Sequence, residues 1–74
     1  MENRIIKIAS EIFNENVEQI NIQSSNKEIK NWDSLGHINL ILSIEEEFQI
    51  TFTHDQITKI NKLKDILEII EDEK

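Results

Sequence analysis

The sequence predicts an all-α fold, a small four-helix bundle with three main helices and one short third helix. Three stretches, residues 3–14, 34–48 and 62–72, place apolar side chains at the spacing of a helix face. No stretch alternates apolar and polar residues for long enough to indicate a strand. With 74 residues, the chain is expected to form one domain, residues 1–74, with its long helices running up and down and the third set across them.

The first helix is expected at residues 3–14, and a long connection follows it. The helix places its apolar residues at i, i+3, i+4, i+7 and i+8: Ile5, Ile8, Ala9, Ile12 and Phe13. Residues 15–33 show no sustained period, and a connection of this length usually has a role or is held by its own side chains. The candidates for holding it are Val17, Ile20, Ile22, Ile29 and Trp32. Ser25 and Glu28 match a capping box, which predicts a single helical turn near residues 26–30.

The clearest helical pattern covers residues 34–48, where apolar side chains occupy more than half of the circumference. These side chains are Leu35, Ile38, Leu40, Ile41, Leu42, Ile44 and Phe48. A helix packed against one neighbour needs only an apolar stripe, so this helix is expected to pack on several helices or to border an apolar cavity as well. Its end carries Glu45, Glu46 and Glu47, which are either a solvated helix end or a docking site for partners.

Two more helix starts are marked towards the end of the chain. Thr53 and Gln56 match a capping box that opens the short third helix. Asn61 is expected to cap the last helix, residues 62–72. The apolar residues of this helix share one side: Leu63, Ile66, Leu67, Ile69 and Ile70. The charged tail, residues 71–74, is expected to fray.

Composition narrows the classes of function. The 15 acidic and 8 basic residues leave a formal net charge of −7, which disfavours nucleic acid and anionic membranes and suits partners with basic patches. Without cysteine, the chain has neither a disulfide framework nor a thiolate of its own. It has no apolar run near the roughly 20 residues of a membrane span and no signal-peptide pattern. We expect a cytoplasmic, soluble monomer without membrane insertion, too small to enclose a deep catalytic cleft.

Ser34 stands where the connection gives way to the second long helix. Asp33 is a good N-cap, so Ser34 falls in the first turn with its hydroxyl at the edge of the loop. A helix N-terminus offers unpaired N–H groups and a partial positive charge, which favour a phosphate. Glycine inside a helix costs up to about 1 kcal/mol relative to alanine. The only glycine, Gly36, is therefore expected to keep side-chain bulk away from Ser34.

The D-S-L of residues 33–35, at the start of an amphipathic helix ending in E-E-E-F, resembles the acyl carrier proteins. The resemblance covers essentially the whole chain, including its length, its acidity and its order of helices. It implies that Ser34 carries 4'-phosphopantetheine, attached from coenzyme A by a phosphopantetheinyl transferase, with Asp33, Leu35 and Gly36 as flanking recognition residues. The thiol of this arm would hold an acyl or aminoacyl group, loaded by a ligase and passed to transferases or synthases. The resemblance implies no catalytic residues, so no enzyme is expected.

The sequence departs from the common fatty-acid carriers in front of its central helix. Gly36 and Asn39 stand where those carriers usually have acids, and Trp32 stands where a small residue is usual. The W-D-S-L-G-H form resembles stand-alone carriers that serve specialised biosynthetic pathways. Fatty acid synthesis enzymes are therefore expected to use this chain poorly, and replacement of Gly36 and Asn39 by acids is expected to improve that use.

Three other interpretations of these residues have to be tested. Ser34 with His37 as its base and Asp33 nearby suggests a hydrolase, although the G-x-S-x-G elbow of that class is missing. Asp33 and His37 could form half of a metal site, but no further ligands follow at useful spacing. An unmodified helical adaptor for basic proteins is the third. On the carrier interpretation, His37 is a surface residue beside the prosthetic group and Trp32 anchors the loop over the core.

Overall fold

The computed structural model describes residues 1–72, and the prediction of an all-α fold is confirmed. Its α-helices are α1 (Glu2–Phe13), α2 (Ser34–Phe48), α3 (His54–Lys59) and α4 (Leu63–Asp72), and a 3-10 helix, Val17–Gln19, lies between α1 and α2. Because α4 extends to Asp72, the first half of the tail that was expected to fray is helical. The other half, residues 73–74, lies outside the described residues.

The core is formed where α1 packs against α2 and α4. Each of these helices buries one apolar stripe, and the buried residues are Ile5, Ala9 and Phe13 of α1, Leu40, Ile41 and Ile44 of α2, and Leu63, Ile66 and Ile70 of α4. Apart from Ala9, burial of each of these side chains contributes about 1.5–3 kcal/mol relative to exposure. No helix within residues 1–72 has both the length and the apolar character needed to cross a membrane.

The connection between α1 and α2 is held by apolar side chains, as expected, with one exception. Ile20, Ile29 and Trp32 are buried and Ile22 is partly buried. The prediction for Val17 is wrong, because it begins the 3-10 helix and is 49% exposed there. The single turn near residues 26–30 is confirmed by two bonds, from the N–H of Ser25 to Glu28 Oε1 at 2.9 Å and from the N–H of Ile29 to the carbonyl of Ser25 at 3.1 Å.

Polar contacts hold both ends of this connection, and the N–H of Leu63 in α4 donates to the carbonyl of Ser24 over 3.1 Å. The side-chain amide of Asn31 donates to the carbonyl of Phe13, at the end of α1, over 2.8 Å. The N–H of Asn26 donates to the carbonyl of Asn61, just before α4, over 2.9 Å. The last residues of the connection are therefore fixed in front of α2.

The glutamates at the end of α2 have structural partners. Glu45 Oε2 accepts the N–H of Phe52 over 2.8 Å, and Glu47 pairs with Arg4 of α1. The Arg4 guanidinium also lies 4.6 Å from the centre of the Phe48 ring. These contacts join α2 to α1 and to the segment before α3, so two of the three acids do more than solvate the helix end.

Of the two predicted caps near the end of the chain, the cap of α3 is confirmed and the cap of α4 is not. Thr53 and Gln56 form the predicted capping box of α3. Asn61, predicted to cap α4, lies two residues before its first residue, so this prediction is wrong. The carboxylate of Asp65 reaches back instead and accepts the N–H groups of Asn61 and Lys62 over 3.0 and 3.2 Å.

Candidate functional site

Ser34 is the first residue of α2 and is exposed. Asp33 is the N-cap, as predicted, because its Oδ1 accepts the N–H of Gly36 over 2.8 Å and its carbonyl accepts the N–H of His37 over 2.8 Å. The N–H groups of Ser34 and Leu35 belong to the first turn, which has no preceding turn to accept them. The hydroxyl is therefore presented at a fixed, positively polarised helix end.

Gly36 is buried, and the expectation that it clears the surface around Ser34 is wrong. A Cβ placed on Gly36 would come within 2.4 Å of the carbonyl oxygen of Asn31, 3.0 Å of Phe13 Cε1 and 3.3 Å of Asp33 Oδ1. The glycine is needed because the backbone of the connection crosses α2 at this point. An acidic residue here would not restore a surface charge.

His37 is half-buried between the connection and α3, not free on the surface as expected. Its Nδ1 accepts the indole N–H of Trp32 over 2.9 Å, and its Nε2 lies 2.8 Å from the carbonyl oxygen of Ile57 in α3. Trp32 is buried, as expected of a loop anchor, and stacks on Phe13 with ring centres 5.3 Å apart. An imidazole that accepts at Nδ1 and donates at Nε2 is neutral.

These contacts contradict the hydrolase interpretation. Both ring nitrogens of His37 are bonded elsewhere, to Trp32 and Ile57, so neither can accept a proton from Ser34. The carboxylate of Asp33 accepts from the backbone of α2 and does not orient the imidazole. Within residues 1–72, no group of three or more His, Cys, Asp or Glu side chains is arranged to hold a metal ion.

A groove of about 660 Å³ lies beside Ser34, between α2 and α3. Its volume is within the range of ligand pockets, roughly 300–1,000 Å³. Its lining combines polar side chains with apolar ones, the former from Asn26, His54 and Thr58 and the latter from Ile38, Ile57 and Ile60. An extended group attached to Ser34 could lie in it and use both kinds of contact.

The wide apolar arc of α2 is divided between the core and the surface. Leu40, Ile41 and Ile44 are buried, whereas the exposed fractions of Leu35, Ile38 and Leu42 are 71%, 47% and 57%. Of these three residues, only Ile38 borders the groove, and the lining of the groove is polar as well as apolar, so it is not the apolar cavity that the sequence suggested. The exposed three follow one another at i, i+3 and i+7 from the turn that holds Ser34, and we call them the apolar face. Helix spacing in the sequence places these three residues on one stripe. Only their exposure in the structure shows that this stripe is not part of the core.

Comparison with curated proteins identifies the family. Over 70 residues the chain is 36% identical to an acyl carrier protein of Buchnera aphidicola subsp. Schizaphis graminum, covering 95% of this chain and 89% of that protein. It belongs to the acyl carrier protein family. An acyl carrier protein homolog of Ureaplasma parvum is 34% identical over 70 residues, which cover 92% of this chain and 86% of that protein. An acyl carrier protein of Rickettsia bellii is 28% identical over 74 residues, which cover 100% of this chain and 86% of that protein. No family model matches the sequence. Its relatives support a carrier role for the chain.

Proposed function

We propose that the chain acts as a single carrier domain, residues 1–74, that holds acyl or aminoacyl groups as thioesters on 4'-phosphopantetheine at Ser34. The observation that carries this proposal is the placement of Ser34, an exposed hydroxyl in the first turn of α2 beside a groove of about 660 Å³. Membership of the acyl carrier protein family supports it. The chain has no catalytic role of its own in this scheme.

The site fits the arm in two respects. The first turn of α2 directs the N–H groups of Ser34 and Leu35 at the place of a phosphate ester, and the helix dipole favours its charge. The arm also has amide and methylene groups, which match the polar and apolar side chains of the groove. Asp33 keeps its own carboxylate occupied with the N–H of Gly36, and so holds the turn in place.

The arm supplies the thiol that holds the cargo, and the chain itself has no cysteine. The residues of the chain hold the arm in place. Helix α2 fixes the point of attachment, and Gly36 lets the connection pack beneath that point. A cytoplasmic location is consistent with this chemistry, because a reducing compartment keeps thiols reduced.

Partner enzymes would dock on the apolar face. A phosphopantetheinyl transferase has to reach Ser34 and would meet Asp33 and Leu35 first, and a loading ligase or a downstream transferase would find Ile38 and Leu42 next to them. The net charge of −7 suits basic surfaces around that contact. Partners outside bulk fatty acid synthesis, in a specialised pathway, are proposed because Asn39 takes the place of an acid here.

In vitro modification tests the proposal. The protein is incubated with coenzyme A, magnesium and a broad-specificity phosphopantetheinyl transferase, and its intact mass is measured. We expect one added phosphopantetheine in the wild type and in Ser43→Ala, a control for a serine of the same helix, and none in Ser34→Ala. Modification of the Ser34→Ala protein would show that the site is wrong. A wild-type protein that folds but takes up nothing would favour the unmodified adaptor.

A further inference from the structure

His37 connects two helices at the groove beside Ser34. Its Nε2 lies 2.8 Å from the carbonyl oxygen of Ile57, and both residues line the groove. Helices α2 and α3 cannot move apart at this level without breaking the bond. A group attached to Ser34 that enters the groove therefore meets a fixed distance between α2 and α3.

Few other contacts hold α3 in place, so the bond between His37 and the carbonyl of Ile57 matters for its position. The helix has six residues and none of them is buried. It is fastened at its two ends, where Phe52 before it donates to Glu45 and Ile60 after it is buried in the core. In contrast, α1 packs closely against both α2 and α4. In the middle of α3, Ile57 is only partly buried against the core, and the bond of its carbonyl to His37 adds a polar contact with α2 there.

Trp32 determines which nitrogen of His37 carries the proton. An indole N–H can only donate, so Nδ1 of His37 has to accept, over 2.9 Å. The proton then lies on Nε2, which donates it to the carbonyl of Ile57. Because Trp32 is buried and stacked on Phe13, the donor is held in place by the core.

We propose that His37 is a positioning residue, a latch that holds α3 against α2 and limits how far cargo on Ser34 can enter between the two helices. The inference rests on the proposed attachment at Ser34 and deepens it. With the latch closed, cargo stays in the open groove, where a partner enzyme can take it. With the latch removed, α3 can move outward, and a longer acyl chain can reach the apolar residues below.

Two matched substitutions separate the two bonds of His37. In His37→Gln the side-chain amide reaches as far as Nε2 does, so a donor to Ile57 is kept. In His37→Asn the amide reaches only as far as Nδ1 does, so an acceptor for Trp32 is kept and the latch is lost. His37→Phe is a second variant without the latch, and its ring keeps the stacking on Trp32, whose ring centre lies 6.1 Å from that of His37.

The test compares melting temperatures of acetyl, butyryl and octanoyl thioesters in the wild type and these variants. A sequestered chain binds only the folded state, so it raises the melting temperature as the chain lengthens. We expect the rise from acetyl to octanoyl to be larger in His37→Asn and His37→Phe than in the wild type and His37→Gln, by at least about 4 °C. Equal rises in all four proteins, with only a common offset, would reduce His37 to a structural role and overturn the proposal.

Measurements on the unmodified protein keep the proposal separate from the attachment at Ser34. Nitrogen NMR should show Nε2 of His37 protonated and Nδ1 unprotonated, and the opposite tautomer would contradict the latch. The N–H of Ile60, which donates to Gln56 over 3.2 Å, should exchange faster in His37→Asn than in His37→Gln, and equal rates would also contradict it. A mass spectrum without the arm would instead refute the attachment.

Discussion

Gly36→Ala is the substitution whose effect follows most directly from the contacts around α2. A helix interior ordinarily gains up to about 1 kcal/mol when glycine becomes alanine. Here the new methyl group would lie 2.4 Å from the carbonyl oxygen of Asn31, a backbone atom, and 3.0 Å from Phe13 Cε1. The connection has to move away from α2 to admit it.

The expected size of the effect combines three contributions. Overpacking of a filled site costs about 1–3 kcal/mol. Displacement of Asn31 also strains or breaks its bond to the carbonyl of Phe13, which contributes about 1 kcal/mol. After the helix-propensity gain of up to about 1 kcal/mol is subtracted, the free energy of unfolding should fall by about 2 kcal/mol. At about 4–8 °C per kcal/mol for a domain of this size, the melting temperature should fall by roughly 8–16 °C.

Urea denaturation followed by circular dichroism measures this change, with Asn39→Ala as the matched control. Asn39 is exposed on the same helix, so its replacement by alanine should leave stability unchanged or raise it by up to about 0.7 kcal/mol. The free energy of unfolding should thus fall in Gly36→Ala and should not fall in Asn39→Ala. If Gly36→Ala proved as stable as the wild type or more stable, the close approach of the connection to α2 would be refuted.

Three further substitutions test the surface. Asn39→Glu should improve use of the carrier by enzymes of fatty acid synthesis in transfer assays and make that use more salt-sensitive; no gain would mean that charge at this place does not exclude them. Ile38→Ser with Leu42→Ser should reduce the kcat/KM of the phosphopantetheinyl transferase about fivefold or more, as loss of a docking contact does, with melting nearly unchanged; an undiminished kcat/KM would remove the apolar face from docking. Arg4→Ala should lower the free energy of unfolding by less than about 2 kcal/mol, because its ion pair with Glu47 is exposed and its contact with the Phe48 ring contributes about 0.5–1 kcal/mol; a larger loss in urea denaturation would contradict that sum.

Local sequence signals were sufficient for much of the fold. The bounds of α2 and its Asp33 cap were predicted, because helix periodicity and capping depend on residues a few positions apart. The capping box of Thr53 and Gln56 was predicted for the same reason. The cap of α4 was misassigned, since both Asn61 and Asp65 can accept backbone N–H groups and spacing alone did not choose between them.

The surroundings of Ser34 depend on contacts that no local pattern contains. Gly36 is required by the carbonyl of Asn31, which reaches it only because the whole connection folds back over α2. His37 is engaged by Ile57, which is 20 positions away in the chain. Apolar periodicity also could not show that Leu42 faces solvent while Leu40 is buried, because α2 is apolar on both sides.

Intact mass spectrometry of the protein isolated from its native cells, followed by fragmentation, is the direct test of attachment at Ser34. We expect one 4'-phosphopantetheine, with or without an acyl or aminoacyl group on its thiol, on the peptide that contains Ser34. A protein without the arm, or with the arm on another residue, would show that Ser34 is not the attachment site.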